Sequence, residues 1–255
     1  MKTAKKWVLR IVSLGLVSVV TIILTVLSPG LLYAHKTDVG AFTVYHQNAL
    51  SPFVAERLEH VQQQVKTSEL YDADFKVSLC LDDGSVYPEI MKRLRGNAFG
   101  WGFLNYAVFK GEADYQANKI SLNGYDWNLE QLFVHEVAHC MQNNALGMWN
   151  SNPMAGHPTW KWEGYAEYVA RKNKDQASLV DNIDRLRRSK HEAPDAWGVF
   201  FTDETVAPRS YYEYWLLVQY CLDIKGMTYL ELLESDVEKE TVEQEMQSYY
   251  EESTE

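Results

Sequence analysis

Residues 135–139 read His-Glu-Val-Ala-His inside an apolar run, with Leu132, Phe133 and Val134 before them and Cys140 and Met141 after. On a helix of about 3.6 residues per turn, positions i and i+4 share a face. Both imidazoles can then reach one Zn²⁺ at roughly 2.0–2.1 Å. Glu136 is rotated about 100° from His135 and can address a metal-bound water instead of the metal. A third ligand is available in Trp162-Glu163-Gly164-Tyr165-Ala166-Glu167-Tyr168. Glu163, opening a second helix, can complete a His₂Glu tripod and leave the fourth position to water or substrate. Glu167 lies one helical turn further on the same face. It can accept the N–H of one zinc histidine and lock its ring orientation. The aromatic residues Trp160, Trp162, Tyr165 and Tyr168 around these acids argue against a solvated acidic stripe.

Positioning these residues requires the rest of the chain, which reads as an α/β lobe over about 37–128 and a helical lobe over about 129–235. Alternation predicts strands at 41–46, 75–81, 103–109 and 118–122, the last ending at the turn signal Asn123-Gly124. In the second, Lys76, Ser78 and Cys80 share one face and Val77, Leu79 and Leu81 the other. Helical spacing predicts helices at 49–66, 86–94, 129–145, 160–173, 176–189, 210–224 and 228–235. The glycine-rich stretch 96–102 separates two of these elements. No internal repeat is present, and the two lobes are expected to form one unit with a cleft between them.

The motif His135-Glu136-Val137-Ala138-His139, followed by Trp162-Glu163-Gly164-Tyr165-Ala166-Glu167-Tyr168, resembles the gluzincin zinc metallopeptidases, particularly the thermolysin-like, peptidase MA-like group. The likeness spans about 41–235, with specific motifs over 118–167 and 210–226. It implies an α+β thermolysin-like zincin fold, a small mixed sheet with an edge strand and a helical C-terminal subdomain. It also implies that Asn118–Leu122 is an edge strand binding extended peptide. In such enzymes a Tyr or His commonly stabilises the oxyanion. Counting back from Gly226, as in related helices, selects Tyr211, with Tyr212 adjacent and His157 a further candidate. Zn²⁺ held by His135, His139 and Glu163, with Glu136 as general base, would hydrolyse a peptide or protein. The metzincin pattern needs Gly and His where Gln142 and Ala145 stand, and the G-x-M-E-N signature of the M1 aminopeptidases is missing.

The formal charge of −11 on 255 residues divides unevenly. Residues 1–36 carry Lys2, Lys5, Lys6, Arg10 and Lys36 and no acid. Residues 231–255 carry ten acids and only Lys239, and are expected to begin as a helix and end as a frayed, solvated tail over 236–255. An acidic body excludes an ordinary nucleic-acid binder. From Ile11 to Ala34 no residue is charged, and Ile11–Leu27 approaches the roughly 20 apolar residues of a membrane span. Read as a retained anchor, residues 1–36 keep the N-terminus in the cytoplasm and place the body outside. Read as a signal peptide cut after Ala34, they release a secreted protein, although Leu32 is larger than the small residue usual at that position. Cys80, Cys140 and Cys221 fit either one disulfide and one thiol or three buried thiols. Arg185, Arg187, Arg188 and Lys190 read either as a solvated helix face or as a patch for headgroups or acidic substrates. His46, His60 and His191 have no ligand spacing.

The expected protein is a membrane-anchored extracytoplasmic zinc metallopeptidase. Two other readings remain open from sequence: a catalytically inactive zinc domain acting as sensor or assembly module, and an anchored interaction module with a chance motif.

Overall fold

A computed structural model describes residues 2–172 and 176–255. The apolar segment forms one helix, α1 (Lys2–Leu27), which a turn at Pro29–Leu32 ends. Its stretch Arg10–Leu27 has mean hydropathy 2.3 and none of it is buried. That is long and apolar enough to cross a membrane, a property a signal sequence shares.

The α/β lobe follows from the alternating segments. Strands β1 (His35–Val39), β2 (Phe42–His46), β3 (Val77–Cys80), β4 (Gly100–Phe103) and β5 (Tyr106–Phe109) form a mixed sheet in the order β1-β2-β3-β5-β4. The three central strands are parallel and the two outer ones antiparallel to their neighbours. Parallel neighbours need long crossovers, and these contain α2 (Val54–Val65) and α3 (Tyr87–Arg95). All four residues of β3 are buried. Val77 and Leu79 join the main core, whereas Cys80 joins a smaller one with Tyr33, Tyr87, Met91, Trp101 and Val108. The strand expected at 103–109 is in fact the hairpin β4–β5, because Leu104 turns the chain at a φ of 48°.

A second, antiparallel sheet holds β6 (Glu112–Asp114), β7 (Lys119–Leu122) and β8 (Tyr125–Asn128), with β7 in the middle. This corrects the expectation for 118–122: with a partner on each side, β7 is no edge strand. The Asn-Gly signal holds, since Asn123 and Gly124 both take positive φ, as a two-residue hairpin turn requires.

The helical lobe comprises α4 (Leu129–Leu146), α5 (Thr159–Ala170), α6 (Leu179–Glu192), α7 (Arg209–Gln219), α8 (Tyr229–Glu234) and α9 (Lys239–Thr254). Helix α5 stops at Ala170; residue 173, the expected end, lies outside the described residues. A hairpin of β9 (Gly198–Phe200) and β10 (Val206–Pro208) interrupts a region expected to be helical throughout, its strands too short to show alternation. Of the expected basic patch, Arg187, Arg188 and Lys190 are exposed, as a solvated helix face requires, and Arg185 is half-buried. Arg185 donates to Tyr212 Oη, Arg187 lies 3.9 Å over the Tyr250 ring, and Lys190 pairs with Glu213 at 2.7 Å. The three cysteines are free and buried.

The acidic C-terminal segment, expected to fray, is helix α9. Val242 is fully buried, and Met246, Tyr249 and Tyr250 pack on the core. A Val242→Asp substitution is therefore expected to cost at least about 3 kcal/mol by burying an unpaired charge. The urea midpoint measures it; a solvated tail would leave it unchanged.

Candidate metal centre

The centre begins with why α4 forms where it does. Asn128 caps its N-terminus, accepting the Gln131 amide at 3.1 Å, and Gly147 ends it at a φ of 76°. Residues 132–142 are all buried. A helix apolar on every side must be covered on every side, and here the sheet lies on one face and α5 on another. Phe133 stacks on Phe109 of β5 at 4.0 Å. The two histidines are carried into the interior, His135 3% and His139 6% exposed.

Helix α5 brings Glu163 against them. His135 Nε2 and His139 Nε2 are 3.1 Å apart, and Glu163 Oε2 lies 3.4 Å from the first and 3.2 Å from the second. The edge of a tetrahedron of ligands at zinc–nitrogen and zinc–oxygen bond lengths is about 3.3 Å, so the triangle has the size of a metal-binding face.

The surroundings also fix which atoms carry protons. Gln142 Nε2 donates to the Trp162 carbonyl at 3.0 Å and to Tyr229 Oη, which leaves Gln142 Oε1 to accept from His139 Nδ1 at 2.7 Å. On the other side His135 Nδ1 faces Glu167 Oε1 at 3.1 Å, and neither atom has another partner among the described residues. His139 Nδ1 donates to Gln142 and His135 Nδ1 faces a carboxylate that favours a proton there; with those protons on Nδ1, both Nε2 atoms can offer lone pairs. Those lone pairs and the Glu163 oxygen point at one spot, which a cation satisfies. His135, His139 and Glu163 have the geometry of a triad that could hold a metal ion.

Glu167 is held in turn by Arg171. The guanidinium donates through Nε to Glu167 Oε2 at 2.5 Å and through Nη1 to Gln131 Oε1 at 3.2 Å. It sits among the rings of Phe201, Tyr212 and Trp215, each under 6 Å away (5.3, 5.7 and 5.6 Å). Burial opposes charge on Glu167, but Arg171 and His135 outweigh it and hold the pKa down to about 2. Burial likewise opposes charge on Glu163, and the two histidines keep it well below the usual carboxylate range.

The triad lines a cleft of about 540 Å³. Glu136 lines it as well without joining the triad. Its pKa is raised by burial, against the opposing pull of the histidines. Strand β4 lies directly on α4 there. A Cβ on Gly102 would come within 2.6 Å of His139 Cβ, and one on Gly100 within 2.7 Å of Glu136 Cγ. Only glycine at both positions permits this contact.

The two adjacent tyrosines separate. Tyr211 lines the cleft, its ring parallel to His135 at 5.9 Å. Tyr212 is fully buried and belongs to the ring cage around Arg171. His157 does not line the cleft: its Nε2 donates to the Asn150 carbonyl at 2.9 Å, and its ring stacks on Trp162. Trp162 stacks in turn on His139.

Gln142, Arg171, Gly100 and Gly102 escaped the sequence reading. Spacing held a signal for each, since Gln142 is three residues after His139 and Arg171 four after Glu167. The glycines alternate as one face of a strand does.

Comparison with known proteins gives no match: no family model, no curated protein and no solved structure matches the chain.

When no cation is bound, burial disfavours charge on His135, but Glu163 and Glu167 prevail and raise its pKa well above the usual value. That proton stabilises the fold fully below the ordinary histidine pKa, and the contribution fades as pH rises through the raised one. A metal must displace it. Zinc binding near neutral pH is expected to release about one proton and to weaken about tenfold per unit of acidification below the raised pKa. Titration calorimetry in buffers of different ionisation enthalpy measures the release, and a value of zero would show His135 already neutral.

Proposed function

We propose that the chain is a zinc-dependent metallopeptidase of gluzincin type, anchored by α1, that hydrolyses peptide bonds in a polypeptide lying in the cleft. The observation that carries this reading is a triangle of three converging acceptors beside a buried carboxylate, Glu136, that does not join it. Two nitrogens and one oxygen with tetrahedral spacing are a donor set suited to zinc.

Bound zinc supplies Lewis acidity, lowering the pKa of water to about 7 and polarising a carbonyl. The chain's own groups do the rest. The Glu136 carboxylate takes a proton from the attacking water and delivers it to the leaving nitrogen, and its raised pKa brings it nearer to neutrality, where such a base works best. Burial and the nearby carboxylates raise the Tyr211 pKa, so its hydroxyl stays protonated and can donate to the developing oxyanion. Strand β4 ends the sheet order, and its outer backbone groups can pair with an extended peptide. The bases Lys2, Lys5, Lys6 and Arg10 before the span favour a cytoplasmic N-terminus and an extracytoplasmic cleft.

A Glu136→Gln variant is expected to keep its zinc and lose cleavage of a peptide library by at least about 10²-fold. Metal content and turnover on the same preparation check both halves. Equal inertness of wild type and variant on a broad panel would sink the peptidase reading and leave a metal-binding domain without hydrolysis. Tyr211→Phe is expected to lower kcat about 10²-fold with little change in KM. Full kcat in that variant would remove Tyr211 from the mechanism.

A further inference from the structure

The junction between α1 and the body has no free linker. The last-turn carbonyls of a helix lack partners within it. Here Tyr87 Oη donates to the Val26 carbonyl at 2.7 Å and Tyr106 Oη to the Leu27 carbonyl at 3.3 Å. Five and six residues on, at Leu32 and Tyr33, the chain is already inside the fold. Ser85 Oγ donates to the Leu32 carbonyl, and Tyr33 is buried with its hydroxyl on the Leu81 carbonyl, both at 2.9 Å. The start of α3 is thus fixed against the end of α1.

Helix α3 has a wider apolar face than the core uses. Tyr87 and Met91 are buried in the smaller core, while Val86, Ile90 and Leu94, spaced four apart, extend the apolar face beside them. Val86 is 59% and Leu94 49% exposed, and Ile90 is only half-buried. Leu31, at the exit from the span, is 79% exposed. Basic residues accompany the stripe. Arg93 is exposed and shares Glu89 at 3.3 Å, and Arg95 is exposed with no acidic partner among the described residues. An exposed apolar stripe with arginines beside it, continuous with a membrane-length helix, has the composition of an interfacial helix.

We infer that α3 is a second membrane contact: Val86, Ile90, Leu94 and Leu31 enter the interfacial layer of the bilayer that α1 crosses, and Arg93 and Arg95 meet phospholipid phosphates. The inference rests on α1 being a retained anchor. Its consequence concerns the cleft, because Arg95 and residues 97–102, directly after the stripe, line it. The seat holds the rim of the metal cleft beside the membrane plane and restricts it to chain segments lying close to that plane.

The test uses the full chain in vesicles of phosphatidylcholine and phosphatidylglycerol, with an environment-sensitive fluorophore on single introduced cysteines. The native cysteines are buried and do not compete for label. Labels at Val86→Cys and Leu94→Cys report the seat, Leu24→Cys reports the anchor, and Leu230→Cys on α8 is the reference. Lipid carrying a nitroxide near the top of its acyl chain is expected to quench the labels at 24, 86 and 94 at least about twofold more than that at 230, as for side chains roughly 5–10 Å into the interface. Reversing charge with Arg93→Glu and Arg95→Glu is expected to reduce quenching at 94 and leave 24 unchanged. Quenching at 24 but not at 86 and 94 overturns the seat while the anchor stands. Quenching at none of the three overturns both. Self-quenching at 86 and 94 in place of nitroxide quenching assigns the stripe to a second copy of the chain and also overturns the proposal.

Discussion

Two imidazole nitrogens and a carboxylate oxygen, held 3.1–3.4 Å apart inside the fold, need positive charge between them, and with no cation bound the raised His135 pKa supplies it as a proton. Much of the helical lobe serves to hold that arrangement in place. Helix α4 supplies two of the atoms at the spacing its own pitch dictates. Helix α5 supplies the third, and its position depends on α7. A Cβ on Gly164, next to Glu163, would come within 2.7 Å of Val218 Cγ2, so α5 and α7 pack this closely only because the residue is glycine. The charges buried or half-buried around the triangle are Glu136, Glu163 and Glu167 against Arg171. A divalent ion in the triangle would offset that excess.

Burying charge is costly unless every charge is paired and hydrogen-bonded. The chain meets most of this requirement by a relay, with Glu167 Oε1 and Arg171 Nη2 left without a hydrogen-bond partner among the described residues. Arg171 has aromatic rings around its guanidinium and Gln131 and Glu167 on its N–H groups, and Glu167 faces His135. Gln142 does the same for His139, with its own amide oriented by the Trp162 carbonyl. Each histidine thus has one nitrogen committed to the fold, which directs the other toward the cleft. Tyr212 belongs to this relay, and Tyr211 to the cleft. Adjacent residues on a helix point about 100° apart, which is enough to give the two tyrosines different roles.

A single stretch of chain links α4 to α1. The end of α1 contacts Tyr87 at the start of α3, the loop after α3 runs along the cleft to the glycines of β4, and β4 lies on Glu136 and His139. The position of the cleft relative to α1 is a property of the fold and not of a tether.

Local rules were enough to read some of this from the sequence. The helix pitch alone puts His135 and His139 on one face, and the same rule puts Glu163 and Glu167 in line along α5. The Asn123-Gly124 turn and the apolar length of α1 are equally local. Contacts between elements distant in sequence were not legible. The order of the strands made β4 the edge and β7 a central strand, and pairing of that kind depends on partners many residues away. The docking of α9, the cage around Arg171 and the turn of His157 away from the cleft arose in the same way, from packing that no periodicity encodes. The sequence by itself determined which side chains could bind a metal, because ligand type and helical spacing are local properties. The tertiary structure alone decided that their lone pairs converge, because convergence depends on how closely helices and strands can approach, and glycines at 100, 102 and 164 set that distance.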